Sequence, residues 1–300
     1  MKKLERVALV GFGYWGEKIA RVLNELGVLD AIIDTSDERL FRAQSSFPQI
    51  INYGYSFSHF NVEAIVIAAP PETHYEIAKN CLNAGLHVFV EKPAATKVIE
   101  VRELVSLASQ KNLSFKVGYI YAYSKGLMEM PRPVGSADLF IKLLNDKGPP
   151  SGSPRDLRWA ALPHAAFIAY HILNDQPVKV ENYREENRFE VKMEFFNGSK
   201  VFIDVGDWTG TRVRSVELRE CHNRYLFNAD QPDHLLSFGP GRHGYVGTKY
   251  SFYQDGEGDP LSRELKDFIE NDNIDSNIVP VSELLERMIT GWTGRRSWVS

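Results

Sequence analysis

The chain has 300 residues, 43% hydrophobic and 25% charged, with a formal net charge of −4 and 2 cysteines. This composition suits an ordinary globular protein with room for two domains and excludes a disordered chain. It also argues against a nucleic-acid partner, because Lys and Arg never run longer than a pair, and against a membrane partner, because no stretch holds the eighteen or so apolar residues of a span. Cys81 and Cys221 form no CxxC pair, so neither a disulfide framework nor a metal site is expected, and a reducing cytoplasm fits. The apolar run Val7 to Val10 after Met1-Lys2-Lys3 is too short for the core of a signal peptide.

From the N-terminus, an apolar strand near 5–10 runs into Gly11-x-Gly13-x-x-Gly16, followed by helix formers over 17–26. Strand, glycine turn and helix in that order are what a dinucleotide site needs. The first glycine turns the chain tightly, the second admits a pyrophosphate, and the third lets helix and sheet pack closely, so Gly11, Phe12, Gly13, Tyr14, Trp15 and Gly16 are the candidate phosphate turn. A purely structural turn is the alternative. The next apolar run, Val28 to Ile33, ends in Asp34-Thr35, roughly twenty residues on, where an acid accepts ribose hydroxyls and repels a 2′-phosphate. That predicts NAD, with NADP the lesser candidate. Asp34 to Asp37 is also good turn and cap chemistry, and a cap at Ser36 or Asp37 would leave Asp34 free for the ribose.

Further strands are predicted near 63–68, 86–90 and 114–118, and helices near 37–46, 73–84 and 97–111. This alternation predicts a doubly wound parallel sheet, a Rossmann domain over residues 1–120. Residues 121–300 form a second, α+β domain with a large, mostly antiparallel open sheet. Its strands are read at Phe189 to Phe195, Lys200 to Val205 and Arg214 to Arg219, with a turn at Asn197-Gly198. Residues 229–260, rich in Gly, Tyr and Pro, read as a long binding loop or oligomer arm. Helices near 261–271 and 281–291 close the chain and are candidates to pack back on the first domain.

Residues 66–93 are the most specific stretch: Val66-Ile-Ala-Ala-Pro-Pro-Glu-Thr-His-Tyr, then Ala84-Gly85, then Glu91-Lys92-Pro93. Together with the glycine turn and Val117-Gly118-Tyr119, they resemble, in order and spacing, the Gfo/Idh/MocA family of NAD(P)-dependent oxidoreductases, strongly over the first 120 residues. On the residues alone, Ala69-Pro70 and Lys92 follow strands at the carboxyl edge of a doubly wound sheet, where ligands bind. The resemblance implies that Ala69, Pro70, His74, Glu91, Lys92 and Tyr119 border the cofactor. It also implies that the Lys92 ammonium holds the substrate oxygen at a cis Lys92-Pro93 turn. A surface histidine at a helix start is the other reading of His74, and Glu91 is read as orienting Lys92.

His164, in Arg158-Trp-Ala-Ala-Leu-Pro-His, is the candidate acid/base, since an imidazole titrating near neutrality can carry a carbinol proton. Ala160 stands where many members of the family carry an aspartate. Tyr121 and Tyr123, taken to share one face of an extended segment with Tyr119, and Arg155 and Arg158 are weaker substrate candidates; simple solvated charge is the other reading of the two arginines.

The resulting expectation is a cytoplasmic, NAD-dependent oxidoreductase acting on a hydroxyl or keto carbon of a sugar, sugar nucleotide or cyclic polyol, with Lys92 and His164 catalytic. A homodimer or homotetramer is expected. Two alternatives stay open: a nucleotide-binding protein without turnover, and an enzyme whose tightly held NAD serves a net isomerisation or elimination.

Overall fold

The structure is a computed structural model and describes residues 3–53, 61–148, 156–241, 244–252, 258–271 and 273–293. The chain divides into two compact units, residues 1–120 with 256–279, and residues 121–255 with 280–300.

In the first unit, strands β1 (Val7–Val10), β2 (Leu29–Ile33), β3 (Ile51–Tyr53), β4 (Ala64–Ile67), β5 (His87–Glu91) and β6 (Phe115–Gly118) form one parallel sheet in the order β3-β2-β1-β4-β5-β6. Helices α1 (Tyr14–Glu25), α2 (Asp37–Ser46), α3 (His74–Asn83) and α4 (Val98–Lys111) connect them. The strands β1 and β4 are buried along their whole length, as a sheet covered on both faces requires. The short edge strand β3 is an addition to the sequence reading, too brief to carry a periodic signal. Strand order reverses between β1 and β4, so the ligand-binding crevice of such a sheet opens at the carboxyl ends of these two strands. A later helix, α8 (Pro260–Glu270), belongs to this unit, and its Leu261, Leu265, Phe268 and Ile269 join the core with Ile19, Leu23 and Phe89.

The second unit begins with a 3-10 turn at Ile120–Tyr123 and a short helix α5 (Lys125–Met128). Its sheet contains β7 (Asp138–Leu144), β8 (Lys179–Arg184), β9 (Arg188–Glu194), β10 (Lys200–Gly206), β11 (Val213–Glu220), β12 (Asn223–Asn228), β13 (His234–Gly241), β14 (Gly244–Ser251) and β15 (Trp292–Thr293). These nine strands run β14-β13-β12-β11-β7-β10-β9-β8-β15, antiparallel except where β7 meets β10 and β8 meets β15. Helices α6 (Leu157–Ala160), α7 (Leu162–Leu173) and α9 (Ile278–Thr290) complete the elements. The inward residues of β7, Leu139, Ile141 and Leu143, alternate with outward Asp138, Phe140 and Lys142.

Two expectations are corrected. The stretch 229–260 reads as a loop without strands of its own, yet its described residues include two. It contains the β13–β14 hairpin, whose Gly and Pro content hid its period. Pro240 pairs with Tyr245 of β14, beyond the last β12 partner Phe238, where β13 has a neighbour on one side only. The tyrosines after β6 do not share one face of a strand, because Ile120–Tyr123 is wound as a 3-10 turn.

Candidate functional site

In the first unit the glycine turn has the geometry its sequence demands. Gly11 has φ +95°, and a Cβ there would lie 2.5 Å from the Ala68 carbonyl oxygen. A Cβ on Gly16 would lie 2.0 Å from the Gly11 oxygen, so α1 can sit this close to β1 only with glycine at that position. At Gly13 the opposite holds, for nothing lies within 4 Å of an added Cβ. Gly13 is also the N-cap of α1 and offers no side chain to the first-turn N–H groups. Open space above an uncapped helix start fits a pyrophosphate, which those amides and the helix dipole attract. Tyr14 is exposed at the rim, under the Lys18 ammonium at 4.5 Å from its ring centroid.

Asp34 is not left free. Its Oδ2 accepts the Phe12 N–H at 2.7 Å, its Oδ1 accepts the Ser36 N–H at 2.9 Å, and Arg39 Nη1 stands 3.6 Å from Oδ2. Ser36 meanwhile caps α2 by accepting from Arg39 N. Asp34 therefore clamps the glycine turn to the end of β2, with lone pairs remaining on a carboxylate that is only 5% exposed. Within that turn Phe12 points its side chain into the core, its ring edge-on to Phe47 at 6.2 Å. Thr35 is exposed beside Asp34.

Three ties gather around Lys92. Trp15 Nε1–H donates to Glu91 Oε1 at 2.5 Å, which joins the glycine turn to the end of β5. The Lys92 N–H approaches Glu91 Oε2 at 3.3 Å, and the Lys92–Pro93 bond is cis. His74, 1% exposed, sets Nδ1 2.7 Å from the Pro93 oxygen and Nε2 2.8 Å from the Ala69 oxygen. His74 is thus no surface histidine, and both ring nitrogens face backbone carbonyls. Burial pulls its pKa below the usual value, and the two carbonyls oppose that shift. His74 thus fixes the Ala69-Pro70 loop against the Lys92-Pro93 turn. Ala69 stays half-buried and Pro70 exposed at the carboxyl edge of β4, and Tyr119 is buried after β6.

The sequence reading missed Glu264. It is 1% exposed, and neither carboxyl oxygen has a hydrogen-bond partner among the described residues. Phe268, one turn further along α8, packs on Phe89 with centroids 5.6 Å apart, and Asp267 binds Lys116 of β6. Glu264 therefore reaches the level of Glu91, two residues beyond Phe89. Burial and then the Glu91 charge push its pKa well above the carboxylate range. Glu91 itself is pushed up to about 7 by burial, with the Lys92 charge and the Trp15 bond opposing. The signal was present, since Glu264 sits between Leu261 and Leu265 on an apolar helix face.

In the second unit, His164 lies half-buried in the first turn of α7, with Tyr121 against it, ring centroids 5.2 Å apart and nearly edge-on. Tyr121 is 6% exposed, and burial raises the pKa of its phenol. Tyr123 is half-buried. Ala160 and His164 do not lie on one continuous helix, for α6 ends at Ala160 and Ala161 breaks the register at φ −124°. Arg158 donates from both Nε and Nη2 to Asp156, the residue that caps α6. Arg155 lies outside the described residues. His171 stacks on Phe167 at 5.9 Å, and burial lowers its pKa. Among the described residues no group of His, Cys, Asp and Glu could hold a metal ion, and no helix is long and apolar enough to cross a membrane.

Fold and turn together define a Rossmann nucleotide-binding domain joined to an α+β domain with an open sheet. Residues 5–119 match the model of the Gfo/Idh/MocA oxidoreductase family, which has an NAD-binding Rossmann fold. Among curated relatives, an uncharacterized oxidoreductase of Schizosaccharomyces pombe is 39% identical over 79 residues, 25% of this chain and 21% of that protein. The inositol 2-dehydrogenase of Salmonella paratyphi B is 23% identical over 194 residues, 59% of this chain and 57% of that one. The match thus spans about a fifth of the first relative's length and little more than half of the second's. Among solved structures, UDP-N-acetylglucosamine 3-dehydrogenase from Acidithiobacillus ferrooxidans superposes with a TM-score of 0.82 over 97% of both chains, at 17% identity. That likeness is one of fold.

Proposed function

We propose that this chain is an NAD-dependent oxidoreductase that moves a hydride to or from a hydroxyl or keto carbon of a sugar, sugar nucleotide or cyclic polyol. The observation that carries the reading is the anchoring of the Lys92 turn. Trp15 ties it to the phosphate turn and His74 ties it to the Ala69-Pro70 loop, so the backbone that carries the Lys92 ammonium is anchored at the carboxyl edge of a nucleotide-binding sheet. When bound, the nicotinamide supplies the hydride acceptor or donor. Gly13 and the first turn of α1 hold the pyrophosphate, and Asp34 accepts the adenosine ribose hydroxyls on its remaining lone pairs. Lys92 stabilises negative charge developing on the substrate oxygen, and His164 takes or returns its proton. The similarity to an inositol 2-dehydrogenase and to the fold of a UDP-N-acetylglucosamine 3-dehydrogenase supports the substrate class. In this reading the chain works in the cytoplasm as a homodimer or homotetramer, for which the outward Phe140–Phe202 stack, centroids 5.0 Å apart, offers apolar surface.

The test is a single-turnover scan of the cofactor-loaded protein against sugars, polyols and nucleotide sugars. A change in the reduced-nicotinamide absorbance is expected with at least one. A second reading, a binder without turnover, is favoured by one observation, Ala160 in place of an acid; tight cofactor binding with no absorbance change across the panel would select it.

NAD preference gives a separate prediction. Calorimetry on the unaltered protein should find NAD(H) bound more tightly than NADP(H), and NADP(H) binding equally well would end the ribose assignment. Asp34→Ala is a poor probe, because it strands the Phe12 and Ser36 N–H groups at a cost of about 1–3 kcal/mol for a buried donor. Arg39→Ala is the better variant. It removes the cation nearest Asp34 and should widen the margin for NAD(H).

A further inference from the structure

The second unit carries a cation that the proposed chemistry does not use. Along β11, Val216 and Leu218 are buried, so Arg214, two residues earlier, projects on the same face. Val216 pairs with Phe227 of β12, and Phe227 packs against the Tyr121 ring at 6.4 Å. Tyr121 in turn meets His164. Arg214 therefore lies on the same face of β11 as Val216, whose partner Phe227 meets Tyr121, and its charge is among those that act on the Tyr121 phenol.

Its partners leave it charged and mostly unspent. Arg214 Nη2 donates to Asn145 Oδ1 at 2.8 Å, and among the described residues no carboxylate lies within salt-bridge distance of the guanidinium. Asn145 is held firmly: its N–H donates to the Gly206 oxygen, its own oxygen accepts from Thr209, and its side-chain amide donates to the buried Asp207. A neutral amide thus orients Arg214 without cancelling its charge, and most of the guanidinium N–H donors remain available. The neighbouring Arg212 differs, since it is matched by Asp230 at 2.8 Å. The Tyr121 ring is buried, and its hydroxyl makes no hydrogen bond among the described residues, so its donor is open to a ligand.

We propose that Arg214 and the Tyr121 hydroxyl form a subsite for an anionic group of the substrate, a phosphate or a carboxylate. A planar, permanently charged fork beside a phenol donor is the arrangement that grips such oxygens, whereas a neutral polyol would leave the arginine desolvated and unmatched. The proposal rests on the oxidoreductase reading for its site and narrows the substrate to a sugar acid, sugar phosphate or nucleotide sugar.

The test is calorimetric and does not need turnover. The full-length protein loaded with NADH is titrated with glucose, glucuronate, glucose 6-phosphate and UDP-glucose, which separates a neutral sugar from carboxylate, phosphomonoester and diphosphate. At least one anionic probe should bind about tenfold or more tightly than glucose, the scale of one charge-assisted hydrogen-bonded contact. Arg214→Gln should remove that margin and leave the glucose and NADH affinities within about twofold, and Arg214→Lys should keep part of it. The wild-type comparison decides the first point even if a variant folds poorly. No anionic probe binding better than glucose, or a margin that survives Arg214→Gln, overturns the subsite. A nicotinamide absorbance change with a neutral sugar alone would leave the oxidoreductase reading intact while ending this one.

Discussion

Lys92→Met should lower turnover by about a hundredfold or more, the scale of losing one donor to a developing oxyanion, while NAD(H) affinity stays within about tenfold. The reason for expecting a loss of rate rather than of fold lies in what holds the turn. The Pro93 oxygen is fixed by His74 and the Lys92 N–H by Glu91, neither of which involves the ammonium. One side effect has a definite sign. The Lys92 charge is the leading influence that restrains the buried Glu91, whose carboxyl already sits at about 7. Without that charge Glu91 moves further up and is protonated at neutral pH, which weakens its bond to Trp15. Cofactor affinity in the variant should therefore improve as the pH is raised above neutrality and the carboxylate is restored. Stopped-flow absorbance gives the rate and calorimetry at two pH values gives the affinity. A variant with wild-type turnover would remove Lys92 from the chemistry.

His164→Asn should cost about 10² to 10⁴ in rate, the range for a positioned acid or base, with KM changed much less than kcat. Asparagine keeps the approximate volume and a hydrogen-bonding edge beside Tyr121, so packing in the first turn of α7 should survive. The informative readout is the pH profile. In the wild type the rate should fall on the side where the imidazole carries the wrong proton count for the direction assayed, and that limb should vanish in the variant. An unchanged rate, or a lower rate with the same limb, would assign the proton to another group. The break at Ala161 bears on the missing aspartate, because the spacing of four residues between Ala160 and His164 does not span a regular helical turn here.

The glycine turn, the acid ending β2, the Pro70 loop and the Glu91-Lys92-Pro93 turn were all legible in the sequence, as were the alternating strands and helices that build the parallel sheet. Each rests on a local requirement: a φ that only glycine tolerates, a strand that must be apolar along its length, a turn residue at a fixed offset. What these side chains bind was decided by tertiary structure. Asp34 reads as a ribose ligand by spacing, yet the fold also spends it on the Phe12 N–H, 22 positions away along the chain. His74 reads as a helix-start histidine and is turned inward to carbonyls at Ala69 and Pro93. Glu264 and Arg214 sit in ordinary helix and strand patterns, and only packing brings one under the influence of Glu91 and the other to the Asn145 side chain. The β13–β14 hairpin was hidden for a related reason, because an exposed pair of strands rich in Gly and Pro is fixed by its partners' hydrogen bonds rather than by any hydrophobic period of its own. Local sequence specifies backbone conformation and which faces are apolar; the partner of a buried polar group is a contact between distant segments, and no local pattern encodes it.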